Sequence, residues 1–155
     1  MADIVDPRKR SEMMAGIRAK NTKPELVVRR LLHSLGYRFR LHRKDLPGKP
    51  DIVLPKWKTA IFVHGCFWHG HENCPLFRLP KSRTEFWAAK IAANRVRDAK
   101  VKGDLNKLGW RIIEIWECSS KGRVALPAKE ICHALDHAIR QPDLMNSEVR
   151  GFQTA

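Results

Sequence analysis

The side chains with the greatest capacity for chemistry lie close together in residues 62–74, which read Phe-Val-His-Gly-Cys-Phe-Trp-His-Gly-His-Glu-Asn-Cys. Cys66, His71 and Cys74 follow one another at the short loop spacing of a zinc knuckle. Zinc prefers thiolate and imidazole ligands and binds four of them in a tetrahedron. The alternative is that the cysteines are free and buried and that the histidine lies on the surface. Three such ligands in one loop favour zinc.

The fourth zinc ligand must come from elsewhere, and we expect it to be Cys118. This residue follows a predicted strand, residues 110–116, just as the knuckle follows another, residues 59–64. If these strands are parallel neighbours, their C-terminal ends bring Cys118 beside the knuckle. His64 or His69 could compete for the fourth position. A site closed by four protein ligands leaves no position for water, so we expect this zinc to be structural.

Asp51 is the first candidate ligand for a second, catalytic metal ion. It follows a glycine-containing turn at the start of a predicted strand, where metal-dependent nucleases often carry a carboxylate. Phosphodiester cleavage calls for a hard cation that polarises the phosphate, and Mg2+ prefers oxygen ligands. The next strand has neither the acidic residue nor the lysine of the usual nuclease pattern, so a second oxygen would come most simply from the Val63 carbonyl. The alternative role of Asp51 is that of a turn or capping residue.

Because the nuclease lysine is missing, proton transfer would fall to histidine. His69 lies two residues before the zinc ligand His71, so the knuckle would hold it in place as a general base for an attacking water. His64 could assist at the leaving group or hold a phosphate, or it could be an ordinary exposed histidine. Glu25 could support catalysis, but a capping box with Thr22 explains it equally well.

Phe67 and Trp68 lie inside the zinc loop, where the metal would fix the backbone that carries their rings. Aromatic rings held in this way can insert between bases, and stacking contributes about 1–3 kcal/mol per base. Insertion costs less where pairing is already weak, so such a wedge favours damaged or mismatched duplex. The alternative is a small local core over the zinc. Trp87, on a predicted helix, could join the wedge or belong to the core.

The elements that must position these groups follow from hydrophobic spacing and turn residues. The sequence predicts a short basic helix over residues 8–20, a helix that Thr22 caps and Gly36 ends, strands over 37–41, 51–54 and 59–64, a long helix over 82–108, a strand over 110–116 and a helix over 127–140. The second and third strands should form a hairpin around residues 55–58.

Strands flanked by helices on both sides predict an α/β fold with a central mixed sheet between helices. A chain of 155 residues is large enough for one domain with its own core. We expect a basic N-terminal arm (1–20), a folded domain (21–140) and a frayed tail (141–155). Cys132 would be an ordinary helix residue.

Basic residues dominate the charge of the chain. Thirty Lys and Arg against sixteen Asp and Glu give a formal charge of +14 and a pI near 10.2. A surplus of this size in a small protein usually meets a polyanion, and nucleic acid is the first candidate. The side chains expected to contact phosphates without reading sequence lie on the arm and the long helix: Arg8, Lys9, Arg10, Arg18, Lys20, Arg95, Arg97, Lys100 and Lys102.

The sequence gives no sign of a membrane segment or of export. No apolar run reaches the roughly 18–20 residues that cross a bilayer, and the N-terminal residues lack the basic-then-apolar order of a signal peptide. We therefore expect a cytoplasmic, nucleoid-associated protein without a membrane partner, in which clustered thiols bind metal rather than form disulfides.

These motifs together resemble the very-short-patch mismatch-repair endonucleases, the Vsr family, over about residues 8–118. The matching segments are Arg10-Ser11 and Met14, Thr22-x-Pro24-Glu25, Leu46-Pro47-Gly48-Lys49-Pro50-Asp51, residues 63–71, Phe86-Trp87-x2-Lys90-Ile91-x2-Asn94-x2-Arg97-Asp98, Gly109-Trp110 and Trp116-Glu117-Cys118. Gly-Cys-Phe-Trp-His and Leu-Pro-Gly-x-Pro-Asp are the most specific of these. Relatives often carry threonine where Val63 stands, a change that is harmless if only the backbone carbonyl binds metal.

The resemblance implies a restriction-endonuclease-like fold and a Mg2+-dependent enzyme that nicks one DNA strand on the 5′ side of the thymine in a T·G mismatch, the product of 5-methylcytosine deamination. It implies that Asp51 binds magnesium, that His69 is the general base and that His64 and Glu25 support the active site. The implied zinc ligands are Cys66, His71, Cys74 and Cys118. The implied intercalating residues are Phe67, Trp68 and Trp87, and the implied further DNA contacts are Met14, Arg10, Lys90, Asn94 and Arg97.

On this interpretation the protein acts as a monomer on double-stranded DNA with a T·G mismatch, with a MutL-type mismatch-repair protein and DNA polymerase I as downstream partners. One alternative is a sequence-specific restriction endonuclease on the same fold, which would cut both strands of paired duplex as a dimer. The other is a non-catalytic, zinc-stapled DNA-binding module.

Overall fold

The computed structural model describes residues 22–152. The predicted basic arm, including Arg10 and Met14, lies outside these residues. Within them the chain forms, in order, α1 (Lys23–Ser34), β1 (Arg40–Leu41), β2 (Ile52–Leu54), β3 (Thr59–His64), α2 (Thr84–Lys107), β4 (Arg111–Trp116), α3 (Ala128–Arg140) and β5 (Asn146–Val149). Short 3₁₀ turns, Pro55–Trp57 and Glu117–Ser119, follow β2 and β4.

Helix α1 begins as its sequence predicts. The Thr22 hydroxyl accepts the backbone N–H of Glu25 at 3.4 Å. Pro24 lies in the first turn, where the backbone N–H that proline lacks would have no partner within the helix. Val28 and Leu32, one turn apart, are buried on the same face of the helix. This face anchors α1 to the core and so fixes the position of Glu25.

The five strands form one mixed sheet in the order β1-β2-β3-β4-β5. The pairs β1–β2 and β2–β3 are antiparallel, and the predicted hairpin between β2 and β3 turns through Pro55–Trp57. Strands β3 and β4 are parallel and pair along their whole length, from Thr59 with Arg111 to His64 with Trp116. Their C-terminal ends therefore lie side by side, as the zinc hypothesis requires.

Helices cover both faces of the sheet, which confirms the predicted layered α/β architecture. On one face α1 and α3 pack on the strands, and the core there includes Val28, Leu32, Ile52, Ile61, Ile113, Ile131 and Leu135. On the other face α2 packs on a second core that includes Val53, Ala60, Phe62, Leu105 and Ile112. The strands are consequently apolar on both sides, as in other sheets buried between helices.

Helix α2 is long but mostly exposed. It has 24 residues, of which Ile91 and Leu105 are buried. None of the helices within residues 22–152 is long and apolar enough to cross a membrane. The charged side chains of α2 therefore lie at the protein surface or beside the candidate site.

The prediction of a frayed tail from residue 141 is wrong for residues 146–149. They form β5, which pairs in parallel with β4 from Ile112 with Asn146 to Ile115 with Val149. Only Val149 of this strand is buried, because β5 lies at the sheet edge and is held mainly by backbone hydrogen bonds. A strand that reads Asn-Ser-Glu-Val lacks the apolar alternation from which strands are predicted. The folded domain therefore extends past residue 140.

Candidate active site

The C-terminal ends of β3 and β4 bring the four candidate zinc ligands together. Cys66, His71 and Cys74 lie in the loop after β3, and Cys118 lies in the turn after β4. Their ligand atoms all lie within 4.8 Å of one another. His71 Nδ1 is 3.5 Å from Cys66 Sγ and 3.6 Å from Cys118 Sγ. We call these four residues the Cys/His cluster; His64 and His69, the competing candidates, belong to a different group.

The donor set and spacing of the Cys/His cluster fit zinc. A tetrahedral zinc with bonds of about 2.0–2.3 Å separates its ligand atoms by about 3.6 Å. All four side chains are nine-tenths buried or more. The hydrogen bond from the Cys66 thiol, together with hydrogen bonds from His71 and from the Gly151 N–H, holds the pKa of Cys118 well below its usual range. A thiolate at Cys118 is the form that binds metal.

Asp51 lies just before β2 and faces the backbone of β3. Its Oδ2 accepts the N–H of Val63 at 2.8 Å. Burial raises the pKa of Asp51 to about 6; the Val63 N–H opposes the rise, nearby Glu25 adds to it, and electrostatic interactions with His42 and His69 oppose it. Asp51 is thus a partly buried carboxylate that a divalent cation would stabilise in its charged form.

The carboxylate of Glu25 contacts two basic side chains. Glu25 as a whole is only 1% exposed. His42 Nε2 lies 2.6 Å from Glu25 Oε1, and Arg29 Nη2 lies 3.3 Å from Glu25 Oε2. The ligand atoms of Glu25, His42 and Asp51 all lie within 4.8 Å of one another. The backbone N–H of Glu25 takes part in the Thr22 cap. Its carboxylate contacts His42 and Arg29 at the site, which supports the catalytic interpretation of this side chain.

His64 and His69 form a close pair, with ring centroids 3.9 Å apart and ring planes tilted by 34°. Each also contacts a carboxylate. His69 Nδ1 lies 2.6 Å from Asp98 Oδ2, and His64 Nε2 lies 3.0 Å from Glu114 Oε2. Burial lowers the pKa of His64, so its ring is neutral at pH 7. Two histidines with separately fixed orientations therefore stand together at the end of β3.

Glu114 pairs with a positively charged side chain as well as with His64. Lys102 Nζ donates to Glu114 Oε1 at 3.0 Å. Burial alone would raise the pKa of Glu114, but the hydrogen bonds with His64 and Lys102 outweigh it and lower the pKa to about 2. With Asp98 and His69, Glu114 and Lys102 line a cleft of about 290 Å³. Glu114 is therefore an anion at neutral pH and fixes the orientation of His64.

Phe67, Trp68 and Trp87 form one aromatic group beside the Cys/His cluster. Their ring centroids lie 5.3–5.9 Å apart, and all three side chains are half-buried. Phe77 and Phe86 extend the group on either side, and Phe86 is 46% exposed. The rings thus pack on one another as a small local core and still present accessible surface, so the structure accommodates both interpretations of these residues.

Helix α2 holds the zinc loop in place. The Asn94 amide donates to the Trp68 carbonyl at 2.8 Å, and Arg95 Nε donates to the Gly70 carbonyl at 3.0 Å. Gly70 has φ +59°, and a Cβ there would lie 2.5 Å from Ile91 Cγ2, so only glycine allows this close approach. Two of the predicted DNA contacts on α2 are exposed side chains, Lys90 and Arg97. Asn94, a third, fixes the loop.

Comparison with known proteins identifies the family. Residues 2–75 match the family model described as DNA mismatch endonuclease Vsr. Over 129 residues the chain is 53% identical to the Type II nicking enzyme V.XorIIP of Xanthomonas oryzae pv. oryzae, an overlap of 83% of this chain and 94% of that protein. The chain belongs to the Vsr family. The resemblance inferred from its motifs is confirmed.

Other relatives extend the match. The DNA mismatch endonuclease Vsr of Escherichia coli (strain K12) is 41% identical over 139 residues, or 90% of this chain and 88% of that protein. The Type II nicking enzyme V.NmeAIP of Neisseria meningitidis is 48% identical over 123 residues, or 79% and 87%. As a member of the Vsr family, the protein is a DNA-nicking endonuclease. Its substrate is DNA.

Four polar residues at the site of this Vsr-family enzyme had no role assigned from the sequence: Arg29, His42, Asp98 and Glu114. Asp98 stood in a matched motif without a function. Glu114 had a usable signal, because a carboxylate inside the apolar strand β4 is costly unless it is paired. Arg29 had a local signal as well, because it follows Glu25 by four residues on α1. His42 had none, since its contact with Glu25 arises from the packing of α1 against the turn after β1.

Proposed function

We propose that this endonuclease nicks one strand of DNA on the 5′ side of the thymine in a T·G mismatch left by 5-methylcytosine deamination, and that it requires Mg2+. The observation that carries the proposal is the convergence of Asp51, the His64–His69 pair and the aromatic group at the C-terminal end of β3. The similarity to the DNA mismatch endonuclease Vsr of Escherichia coli supports the mismatch as substrate.

Asp51 and the Val63 carbonyl would hold the magnesium ion. The N–H of Val63 points to Asp51, and in an extended strand the N–H and C=O of one residue point to the same side. Magnesium supplies a positive charge that polarises the phosphate and stabilises the leaving oxygen. Since only a backbone oxygen of residue 63 is used, valine serves there as well as threonine. Glu25, fixed by His42 and Arg29, adds negative charge behind Asp51.

His69 is positioned to act as the general base. With its Nδ1–H donated to Asp98, the ring carries its lone pair on Nε2, which can take a proton from the attacking water. The Asp98 carboxylate then stabilises the imidazolium that forms. His64, neutral and hydrogen-bonded to Glu114, packs against the His69 ring and supports its orientation.

Zinc in the Cys/His cluster would hold the loop that carries both His69 and the aromatic wedge. Phe67, Trp68 and Trp87 would insert beside the mismatch, where unstacking is least costly. The remaining proposed DNA contacts are Lys90, Asn94 and Arg97 on α2 and Arg10 and Met14 on the N-terminal arm.

The layered sheet is proposed to be a restriction-endonuclease-like fold, and the enzyme is proposed to act as a monomer with the nucleoid DNA of the cytoplasm. A MutL-type mismatch-repair protein and DNA polymerase I are proposed as downstream partners.

A nicking assay tests the proposal. The substrates are end-labelled duplexes that differ in one T·G pair, with T·A and C·G duplexes as matched controls, each with and without Mg2+. The expected result is one Mg2+-dependent nick 5′ to the mismatched thymine, absent with Asp51→Ala, which should still bind DNA. Cleavage of both strands in matched duplex would point to a restriction endonuclease instead, and cleavage without added metal would refute the magnesium assignment.

A further inference from the structure

The segment that begins with β5 ends against the Cys/His cluster. The backbone N–H of Gly151 donates to Cys118 Sγ at 3.3 Å. N–H···S bonds stabilise the charged thiolate, the form that binds a metal ion. Such a contact acts directly on a proposed zinc ligand from a segment more than thirty residues further along the chain.

The same glycine leaves no space for a side chain. A Cβ at residue 151 would lie 2.5 Å from the carbonyl oxygen of Val124 and 2.6 Å from that of Cys118. Both obstacles are backbone atoms, which cannot rotate away as a flexible side chain could. The close approach of the chain to Cys118 therefore depends on glycine at this position.

Glu148 faces the other side of the cluster. His71 directs Nδ1 toward the thiols of Cys66 and Cys118, and its buried Nε2 makes no hydrogen bond with any residue in 22–152. Glu148 Oε1 lies 3.7 Å from this nitrogen. Metal-binding histidines typically donate their second N–H to a carboxylate, which fixes the ring and strengthens the ligand. Glu148 is placed to be that carboxylate.

Arg150 fixes the loop that joins two of the ligands. Its guanidinium donates to the carbonyls of Glu72 and Asn73, each at 2.9 Å. These two residues separate His71 from Cys74 in the sequence. The guanidinium also lies 3.6 Å from the Glu148 carboxylate, so the two side chains support each other.

We propose that residues 148–151, the C-terminal clasp, retain zinc in the Cys/His cluster: Gly151 acts on Cys118, Glu148 on His71, and Arg150 on the loop before Cys74. This inference rests on zinc as the proposed occupant of the cluster. Glu148 is a positioning residue, since it acts on the metal through His71. The C-terminal clasp contacts the Cys/His cluster from the β5 edge of the sheet and slows dissociation of the zinc ion.

The test measures zinc release from the full-length protein after addition of excess chelator, with a colorimetric zinc indicator. Glu148→Ala should release zinc about tenfold faster than the wild type, in line with the effect of removing such a carboxylate elsewhere. Glu148→Gln, which keeps an oxygen acceptor, should restore much of the retention. Arg150→Met and Gly151→Ala should also release zinc faster. The matched controls are Glu85→Ala, an exposed glutamate, and Gly103→Ala, where a Cβ meets nothing within 4 Å.

Glu148 is 45% exposed, so its variants should fold even if Gly151→Ala does not. Release rates of both Glu148 variants equal to those of the controls, from protein that holds one zinc per chain, would overturn the clasp and leave the proposed zinc site standing. Wild-type protein purified without zinc would overturn the zinc assignment and the clasp together. Neither outcome depends on nicking, so the proposed substrate is tested separately.

Discussion

Replacing Asp51 by Asn is expected to stabilise the folded protein while it abolishes nicking. Burial raises the pKa of Asp51 from 3.8 to about 6. The folded protein therefore holds the proton more tightly than the unfolded chain, so this group favours folding fully below pH 3.8 and loses that advantage as the pH rises through about 6. The difference between these two pKa values lowers the free energy of unfolding by about 3 kcal/mol at pH 8, relative to low pH. At pH 5 the loss is about half as large.

Asparagine removes the charge and keeps an oxygen that can accept the Val63 N–H. Because the Asp51 side chain is only partly buried, we expect the variant to gain about 2 kcal/mol near pH 8 and about half of that near pH 5. On the proposed magnesium site, added Mg2+ should reduce this difference in stability by stabilising the wild type alone, since only the wild type keeps the carboxylate proposed to bind the ion.

Urea unfolding followed by tryptophan fluorescence, in buffer without added magnesium, measures this gain at the two pH values. Asp143→Asn, at an exposed position between α3 and β5, is the matched control and should change stability little. The reasoning is refuted if Asp51→Asn is no more stable than the wild type near pH 8, or if its gain is the same at both pH values. Retained nicking by this variant would remove Asp51 from the catalytic centre.

Three further substitutions probe the other parts of the site. Asp98→Asn should lower the nicking rate by about 100-fold without loss of DNA binding, because His69 loses the carboxylate that fixes its tautomer; an unchanged rate would assign the base elsewhere. Trp68→Ala should weaken binding to T·G duplex by about tenfold and binding to matched duplex much less, whereas equal losses in a titration would indicate a packing role. Cys118→Ser should lower the thermal midpoint and release zinc, and one tightly held zinc per chain in this variant would contradict the four-ligand assignment.

The parts of the fold that could be predicted are those with local signals. Thr22 and Pro24 mark the start of α1, and Pro55–Trp57 marks the hairpin between β2 and β3. The sequence strand–long helix–strand predicts a crossover, and a crossover makes its strands parallel. The placement of Cys118 beside the knuckle depended on this one condition, and β3 and β4 meet it.

What could not be predicted depends on contacts between distant residues. Strand β5 has no apolar pattern, because a sheet edge needs backbone partners more than buried side chains. The pairing of His64 with Glu114 requires the register of β3 against β4, and the contact of His42 with Glu25 requires the docking of α1. The residues of the candidate site were therefore foreseen in the zinc loop, at the ends of three strands and at the start of a helix, without the carboxylates that orient the two histidines.

The position of His69 between two members of the Cys/His cluster has a consequence for how the enzyme fails. On the proposed roles, the same short loop carries the base and two of the three aromatic rings. Oxidation of a thiol or loss of the ion would disorder the base and the wedge together. Damage at this loop would thus yield an inert protein rather than a nuclease that has lost its discrimination, a safe outcome for an enzyme that cuts DNA.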